Sequence, residues 1–307
     1  MKVLVATEKP FSKSAVDGIK EIVEQAGFQF ALLEKYTDKA QLLAAVADAD
    51  ALIIRSDKVT AEVIEAAKQL KIVVRAGAGF DNVDLAAATA HKVVVMNTPG
   101  QNSNAVAELA TAFMIFMSRN CLTPGTGKEI QGKTLGIHAY GNVGKLVGRK
   151  GKALGMNVIA FDPFITDPAV FAADGVKQVN SIEELYAQSN FLSLHIPATA
   201  ETKKSIGHKL LTSMPKGATL VNTARKEVID EAGLMQALTE REDLKYITDI
   251  AAETQADLSA KFGNRVFATA KKMGAETAEA NLNAGLAAAR QIIGFLKDGC
   301  TKFQVNK

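Results

Sequence analysis

The chain has 307 residues, 48% hydrophobic and 22% charged, with a formal net charge of +3. That length suits two domains of ordinary size, and that balance excludes a disordered chain and a nucleic-acid binder built on a basic stripe. Cys121 and Cys300 are the only cysteines; they form no spaced metal-ligand set and fit a reducing compartment, the cytoplasm.

The chain opens on a strand, KVLVAT (2–7), with no secretory pattern before it. An amphipathic helix over 14–27 follows, then a strand at 30–34 and a helix over 37–48 with Thr37 as its cap. ALIIRS (51–56) reads as a strand, 59–70 as a helix, and KIVVRAG (71–77) and KVVVMNT (92–98) as further buried strands. An almost wholly apolar helix from about Asn104 to Arg119 fits a domain crossing or a subunit interface, and 121–133 carries the proline and glycines of a linker. A second set then begins with KTLGIHAY (133–140), with strands at 156–163, 190–196, 218–224 and 244–250 and helices at 143–153, 182–187, 203–213 and 227–239. A long alanine-rich helix over 276–297 closes the pattern, and nowhere is there an apolar run long enough for a membrane span. Strand–helix alternation predicts an α/β chain of two doubly wound parallel sheets, Rossmann-like or flavodoxin-like, with a cleft between them.

The turn AYGNVG (139–144) joins the strand at 133–139 to a helix. In a dinucleotide fold Gly141 lets the backbone approach a pyrophosphate, Gly144 allows close helix–strand packing, and the helix N-terminus faces the phosphates. Ala139 replaces the first glycine and fits only with ordinary dihedrals, so a slightly altered turn is expected. Asp162 ends the next strand about 20 positions on, where an acid takes the ribose hydroxyls and repels a 2′-phosphate, favouring NAD over NADP. Open sheets bind ligands beyond the carboxyl ends of their strands, where LHIPAT (194–199), VNTARKEV (221–228), ITDIAAET (247–254) and ATAKKMGAET (268–277) all fall. Arg225 reads there either as a two-pronged carboxylate clamp or as a solvent-facing arginine. Asp249 is placed to accept from an amide such as that of nicotinamide. Lys271 and Lys272 read as surface charge, His195 as a core histidine and His138 as structural.

Several blocks in one order carry a stronger signal: VVRAGAGFDNVD (73–84), VVVMNTPGQNSNAVAELA (93–110), GKTLGIHAYGNVG (132–144), SLHIPATAETK (193–203) and VNTARKEVIDEAGL (221–234). Over essentially its whole length the chain resembles the D-isomer-specific 2-hydroxyacid dehydrogenases. The resemblance implies a substrate-binding domain of residues 1–97 plus 276–307 and an NAD-binding domain of residues 98–275. It implies reversible, NAD-dependent oxidation of D-3-phosphoglycerate to 3-phosphohydroxypyruvate in serine biosynthesis. Reduction of glyoxylate or hydroxypyruvate, and NAD sensing by a corepressor-like protein, are the alternatives.

Carried onto this sequence, the family's pattern puts the catalytic arginine at Arg225 and the nicotinamide-contacting aspartate at Asp249. Lys272 takes the position of the usual histidine, and Glu253 stands one residue short of the usual glutamate, whose place Thr254 holds. A lysine can donate the proton; to accept it near neutral pH its pKa must fall, through burial and nearby Arg225. Arg55 and Ser56 are the phosphate candidates, with Arg75, Ala76, Gly77 and Asn97 completing the substrate set. The cofactor set is Gly141, Asn142, Val143, Gly144, Asp162, His195, Thr223, Ala224, Asp249 and Gly274. The expected partners are a small phosphorylated hydroxy or keto acid and a second copy of the chain, with no metal, nucleic acid or membrane. With nothing after the return helix, feedback control through a C-terminal domain is not expected.

Overall fold

The computed structural model describes residues 1–306. The chain divides into two compact units, Met1–Asn102 with Glu276–Lys307, and Ser103–Ala275. The first crossing falls after Asn102, where residue 97 was expected, because Thr98 stays tied to the first sheet through its N–H on the Gly77 carbonyl (2.9 Å).

In the first unit β1 (Lys2–Thr7), α1 (Lys13–Gln25), β2 (Gln29–Glu34), α2 (Lys39–Val46), β3 (Ala51–Ile54), α3 (Ala61–Ala66), β4 (Ile72–Arg75), α4 (Leu85–Ala90) and β5 (Val94–Asn97) alternate along the chain. The strands are parallel in the order β2-β1-β3-β4-β5, with Val3 opposite Ala51 and Ile54 opposite Arg75. That is a flavodoxin-like order, whose direction reverses between β1 and β3. Strand β3 is buried on both faces, which is why ALII is a continuous apolar run without alternation. The cap of α2 is Asp38, whose carboxylate accepts from Ala40 N (2.9 Å), and not Thr37.

The second unit runs α5 (Ser103–Ser118), β6 (Thr134–His138), α6 (Asn142–Ala153), β7 (Asn157–Phe161), α7 (Ala169–Ala172), β8 (Lys177–Gln178), α8 (Ile182–Gln188), β9 (Phe191–Leu194), α9 (His208–Ser213), β10 (Thr219–Asn222), α10 (Glu231–Glu240), β11 (Lys245–Thr248), α11 (Gln255–Phe262) and β12 (Val266–Ala268). Its parallel sheet has the order β12-β11-β10-β9-β6-β7-β8, the doubly wound dinucleotide arrangement with one added edge strand and a switch point between β6 and β9. The helix expected from 203 starts only at His208, because Lys204 takes φ 53 and Gly207 caps the helix. The chain then returns to the first unit as α12 (Ala278–Asp298), capped by the Thr277 side chain on Ala280 N. Ala284, Ala288, Ala289 and Ile292 of α12 share a core with Val3, Val5, Ile19 and Ile53. Small residues on that face let the helix lie close to the sheet. Among the described residues no helix is long and apolar enough to cross a membrane.

Candidate functional site

In the second unit the glycine-rich turn sits at the switch point, between β6 and α6. Ala139 does not take ordinary dihedrals: it stands at φ 77, the left-handed conformation a glycine would adopt. The turn is therefore retained and not altered. Its shape is imposed from outside, by Ala139 N on Phe161 O (2.9 Å) and Tyr140 N on Asp162 Oδ2 (2.8 Å). The two glycines differ in what requires them. A Cβ at Gly144 would lie 2.2 Å from the Ala139 carbonyl oxygen, so close packing excludes any side chain there. A Cβ at Gly141 would meet nothing within 4 Å, and φ is −80. No contact inside the protein demands glycine at 141, which fits a ligand drawn against the backbone. Asn142 and Val143 begin α6 beside it, where free amides favour an anion.

Asp162, just past β7, is 9% exposed, and its other oxygen accepts from Phe164 N (2.9 Å). Each oxygen of an ionised carboxylate has a second lone pair, so ribose hydroxyls can still be accepted. Tyr140, fully buried and stacked on Phe171 with ring centroids 4.8 Å apart, fixes the turn further through its hydroxyl on Asp174 (2.8 Å).

Along the same carboxyl edge, β10 ends in Asn222, which is fully buried. Its side chain accepts from Ala224 N and donates to Arg225 O, both at 3.0 Å, and so sets the backbone that carries Arg225. Thr223 and Ala224 are buried between them. Arg225 is half-buried and donates to Ala224 O (2.9 Å); among the described residues no carboxylate pairs with it. Asp249, past β11, is fully buried and accepts on Oδ2 from Met273 N (3.2 Å) and Gly274 N (2.7 Å). Its Oδ1 has no partner among the described residues, nor does the Thr223 hydroxyl. A buried acceptor facing no donor fits the carboxamide of a nicotinamide. The residues present thus fit the dinucleotide at the turn and at the strand ends.

Lys272 is exposed, on the segment that Asp249 holds through Met273 and Gly274. The burial expected to make it a proton acceptor is absent. Glu253 corrects the expectation more plainly. Its carboxylate side chain is 80% exposed and pairs with Lys226 Nζ (3.1 Å). The carboxylate that organises this loop is Glu231, which accepts from Glu253 N, Thr254 N and the Thr254 hydroxyl at 2.7–2.9 Å. Burial raises the Glu231 pKa, but those bonds outweigh it and hold the carboxyl below its ordinary value. His195 is half-buried, with Ser193 Oγ 2.9 Å from its Nε2. Desolvation, then neighbouring His138, pushes it down to about 3, so it is neutral at pH 7. Buried His138 is pushed down to about 4 by desolvation, with Asp162 acting the other way.

In the first unit the substrate candidates share the carboxyl ends of β3, β4 and β5. Arg55 stacks over the Phe11 ring, and its guanidinium donates to Lys9 O (3.1 Å), Pro10 O (3.0 Å) and Asn281 Oδ1 (2.6 Å). Its Nη2 also faces the Glu276 carboxylate (3.9 Å), so of the five N–H donors most are engaged and a bound anion would displace that long ion pair. Ser56 is exposed beside it. Arg75 donates from Nε to Arg55 O (3.0 Å), and its Nη1 lies 1.6 Å from where a Gly77 Cβ would be. Glycine at 77 is required by its own backbone, at φ 149, and the Arg75 side chain fills the space beside it. Ala76 is buried, and Asn97 donates to Ala78 O (2.6 Å).

Asn222, Glu231, Tyr140 and Asn281 escaped the sequence reading. Only Asn222 carried a signal, as a polar residue ending an apolar strand; the partners of all four could not be read from spacing. Among the described residues no three metal-ligating side chains cluster.

The model of the D-isomer specific 2-hydroxyacid dehydrogenase, NAD binding domain, family matches residues 121–270. The crystal structure of the NAD⁺-bound 3-phosphoglycerate dehydrogenase of Entamoeba histolytica is 49% identical, with a TM-score of 0.89, covering 100% of this chain and 99% of that one. D-3-phosphoglycerate dehydrogenase of Methanocaldococcus jannaschii is 38% identical over 283 residues, 87% of this chain and 54% of that protein. The Rattus norvegicus protein of the same name is 34% identical over 293 residues, 91% of this chain and 54% of its own length. The chain thus spans about half the length of the curated relatives it matches.

Proposed function

Since the chain belongs to the D-isomer specific 2-hydroxyacid dehydrogenase family, we propose that it interconverts D-3-phosphoglycerate and 3-phosphohydroxypyruvate with NAD, as a step toward serine. The observation that carries this reading is the full-length likeness to the amoebal 3-phosphoglycerate dehydrogenase. Bound NAD supplies the hydride acceptor. The turn at Gly141 and the start of α6 hold its phosphates, Asp162 its ribose, and the free Oδ1 of Asp249 its carboxamide. Arg225, which pairs with no carboxylate among the described residues, holds the substrate carboxylate. Arg55 and Ser56 take the substrate phosphate, and Arg75, Ala76, Gly77 and Asn97 shape the same strand ends. Lys272 holds the proton that the substrate oxygen takes up in the ketoacid direction, a task an exposed ammonium can perform. Glu253 has no place in this scheme. The reading extends to a cytoplasmic homodimer. Exposed Ile115 and Leu122, on α5 and just past it, and two free cysteines support that extension.

The test is NADH oxidation with 3-phosphohydroxypyruvate run beside hydroxypyruvate. Turnover that depends on the phosphate is expected. Equal turnover of both would make the protein a general hydroxypyruvate reductase, and NADH binding with no turnover would make it a sensor. In the same assay Lys272→Ala should lower kcat by about 10²–10⁴-fold with NADH affinity intact. A loss below about threefold would remove Lys272 from the chemistry.

A further inference from the structure

Asp57 lies between the phosphate candidates and α3, and it is 4% exposed. Burying a carboxylate is costly unless every lone pair finds a donor. Here Oδ1 accepts from Glu8 N (2.6 Å) and the Tyr36 hydroxyl (2.8 Å), and Oδ2 from Arg55 N (3.2 Å). Burial, then Asp57, pushes the Tyr36 hydroxyl above its ordinary pKa, so it stays a donor. These donors come from the ends of β1, β2 and β3, the strands around the switch point of the first sheet.

The bonds close a circuit. Asp57 fixes the backbone of Arg55 directly. Through Glu8 N it also fixes the segment whose next two carbonyls, Lys9 O and Pro10 O, hold the Arg55 guanidinium. Asn82 ties the turn from the other side, donating to Asp57 O (2.7 Å) and Arg55 O (3.3 Å). One carboxylate therefore sets both the root and the aim of the arginine. An apolar residue at 57 would fill the same space without desolvating a charge, but it would leave two amides and a phenol unanswered.

We infer that Asp57 is a positioning residue for anion recognition, acting through Arg55 to select the phosphorylated substrate. The inference rests on the proposed function and on no contact between Asp57 and substrate. A nearby negative charge opposes anion binding through space, so positioning and repulsion predict opposite signs when the charge is removed.

The test compares wild type, Asp57→Asn and Tyr36→Phe as the intact chain, with 3-phosphohydroxypyruvate and with hydroxypyruvate. Losing charge-assisted bonds should raise KM for the phosphorylated substrate about tenfold or more in Asp57→Asn, with kcat and the hydroxypyruvate KM within about threefold. Tyr36→Phe, which removes one neutral donor, should move the same ratio by about two- to fivefold. It stands as the deciding variant if Asp57→Asn does not fold. A merely structural Asp57 would lower the active fraction and the melting temperature and leave the KM ratio alone; that result overturns the inference. A lower KM for the phosphorylated substrate in Asp57→Asn overturns it in favour of repulsion. If wild type itself ignores the phosphate, the proposed function fails first and the inference falls with it.

Discussion

Ala139 occupies φ 77, a conformation that costs an L-residue about 1–2 kcal/mol relative to glycine. Nothing local favours it. The turn is held by the Phe161 carbonyl and the Asp162 carboxylate, and the alanine methyl packs against the core cluster that includes Leu194 and Ile196. Ala139→Gly removes the strain but gives the unfolded chain more freedom, which offsets about 0.4–1 kcal/mol. The net expectation is a gain of no more than about 1.6 kcal/mol, a rise of roughly 3–6 °C in melting temperature at most, with NADH affinity unchanged. A melting temperature that falls would show that the methyl contributes more by packing than it costs by strain. The sequence reading of this residue failed for a physical reason. It treated a penalty of about 1–2 kcal/mol as a prohibition, when two hydrogen bonds from distant residues suffice to overrule it.

At the scale of elements, β6, the turn and α6 separate two meanings of glycine that spacing alone cannot. Gly144→Ala drives a methyl into backbone oxygen at 2.2 Å, and such overpacking costs about 1–3 kcal/mol or more. Gly141→Ala places its methyl in open space, so stability should fall only by the cost of alanine for glycine at a helix N-cap, about 0.5–1 kcal/mol. If the cofactor's phosphates lie against that backbone, the same substitution should weaken NADH binding about tenfold or more, the effect of 1.4 kcal/mol. Melting curves and NADH titrations of the two variants check both halves. Wild-type NADH affinity in Gly141→Ala would remove the turn from the cofactor site. The long elements here were legible because burial imposes period and apolar runs. Strand β8 has two residues and α7 four, too few for a period to show. Helix α9 was anticipated too early because Lys203 and Lys204 suit a helix by composition, while the chain uses them to turn into Gly207.

Over the whole molecule, the strand-end residues were readable because parallel sheets gather their carboxyl ends, but the partners that orient them were not. Arg55 is held by Asn281 from the far end of the chain, and the loop after Asp249 is held by Glu231 while the anticipated Glu253 faces solvent. Such pairings depend on the finished fold. So does the response to acid. His138 ends β6 and His195 follows its neighbour β9, the two joined by His195 N on His138 O (2.9 Å), and they are pushed down to about 4 and about 3. An unfolded histidine titrates near about 6.5. Below that pH the unfolded chain binds protons that the native chain refuses, so stability falls as pH falls, through about 4 for His138 and about 3 for His195. Above about 6.5 neither histidine affects the slope. Carboxylates held low, such as Glu231 and Asp174, act with the same sign but only nearer their ordinary range of about 4. The interval from pH 6.5 to 5 therefore belongs to the histidines, each approaching about 1.4 kcal/mol per pH unit. Three of the 4 tyrosines, Tyr140, Tyr186 and Tyr246, lie in the second unit, and there is no tryptophan. Urea unfolding followed by near-ultraviolet tyrosine dichroism thus reports mainly on that unit. Wild type should lose stability between pH 7 and pH 5, and His138→Phe should lose about half as much over the same interval, whatever its stability at pH 7. A wild-type stability that stays flat across that interval would mean that the two rings are protonated in the native state.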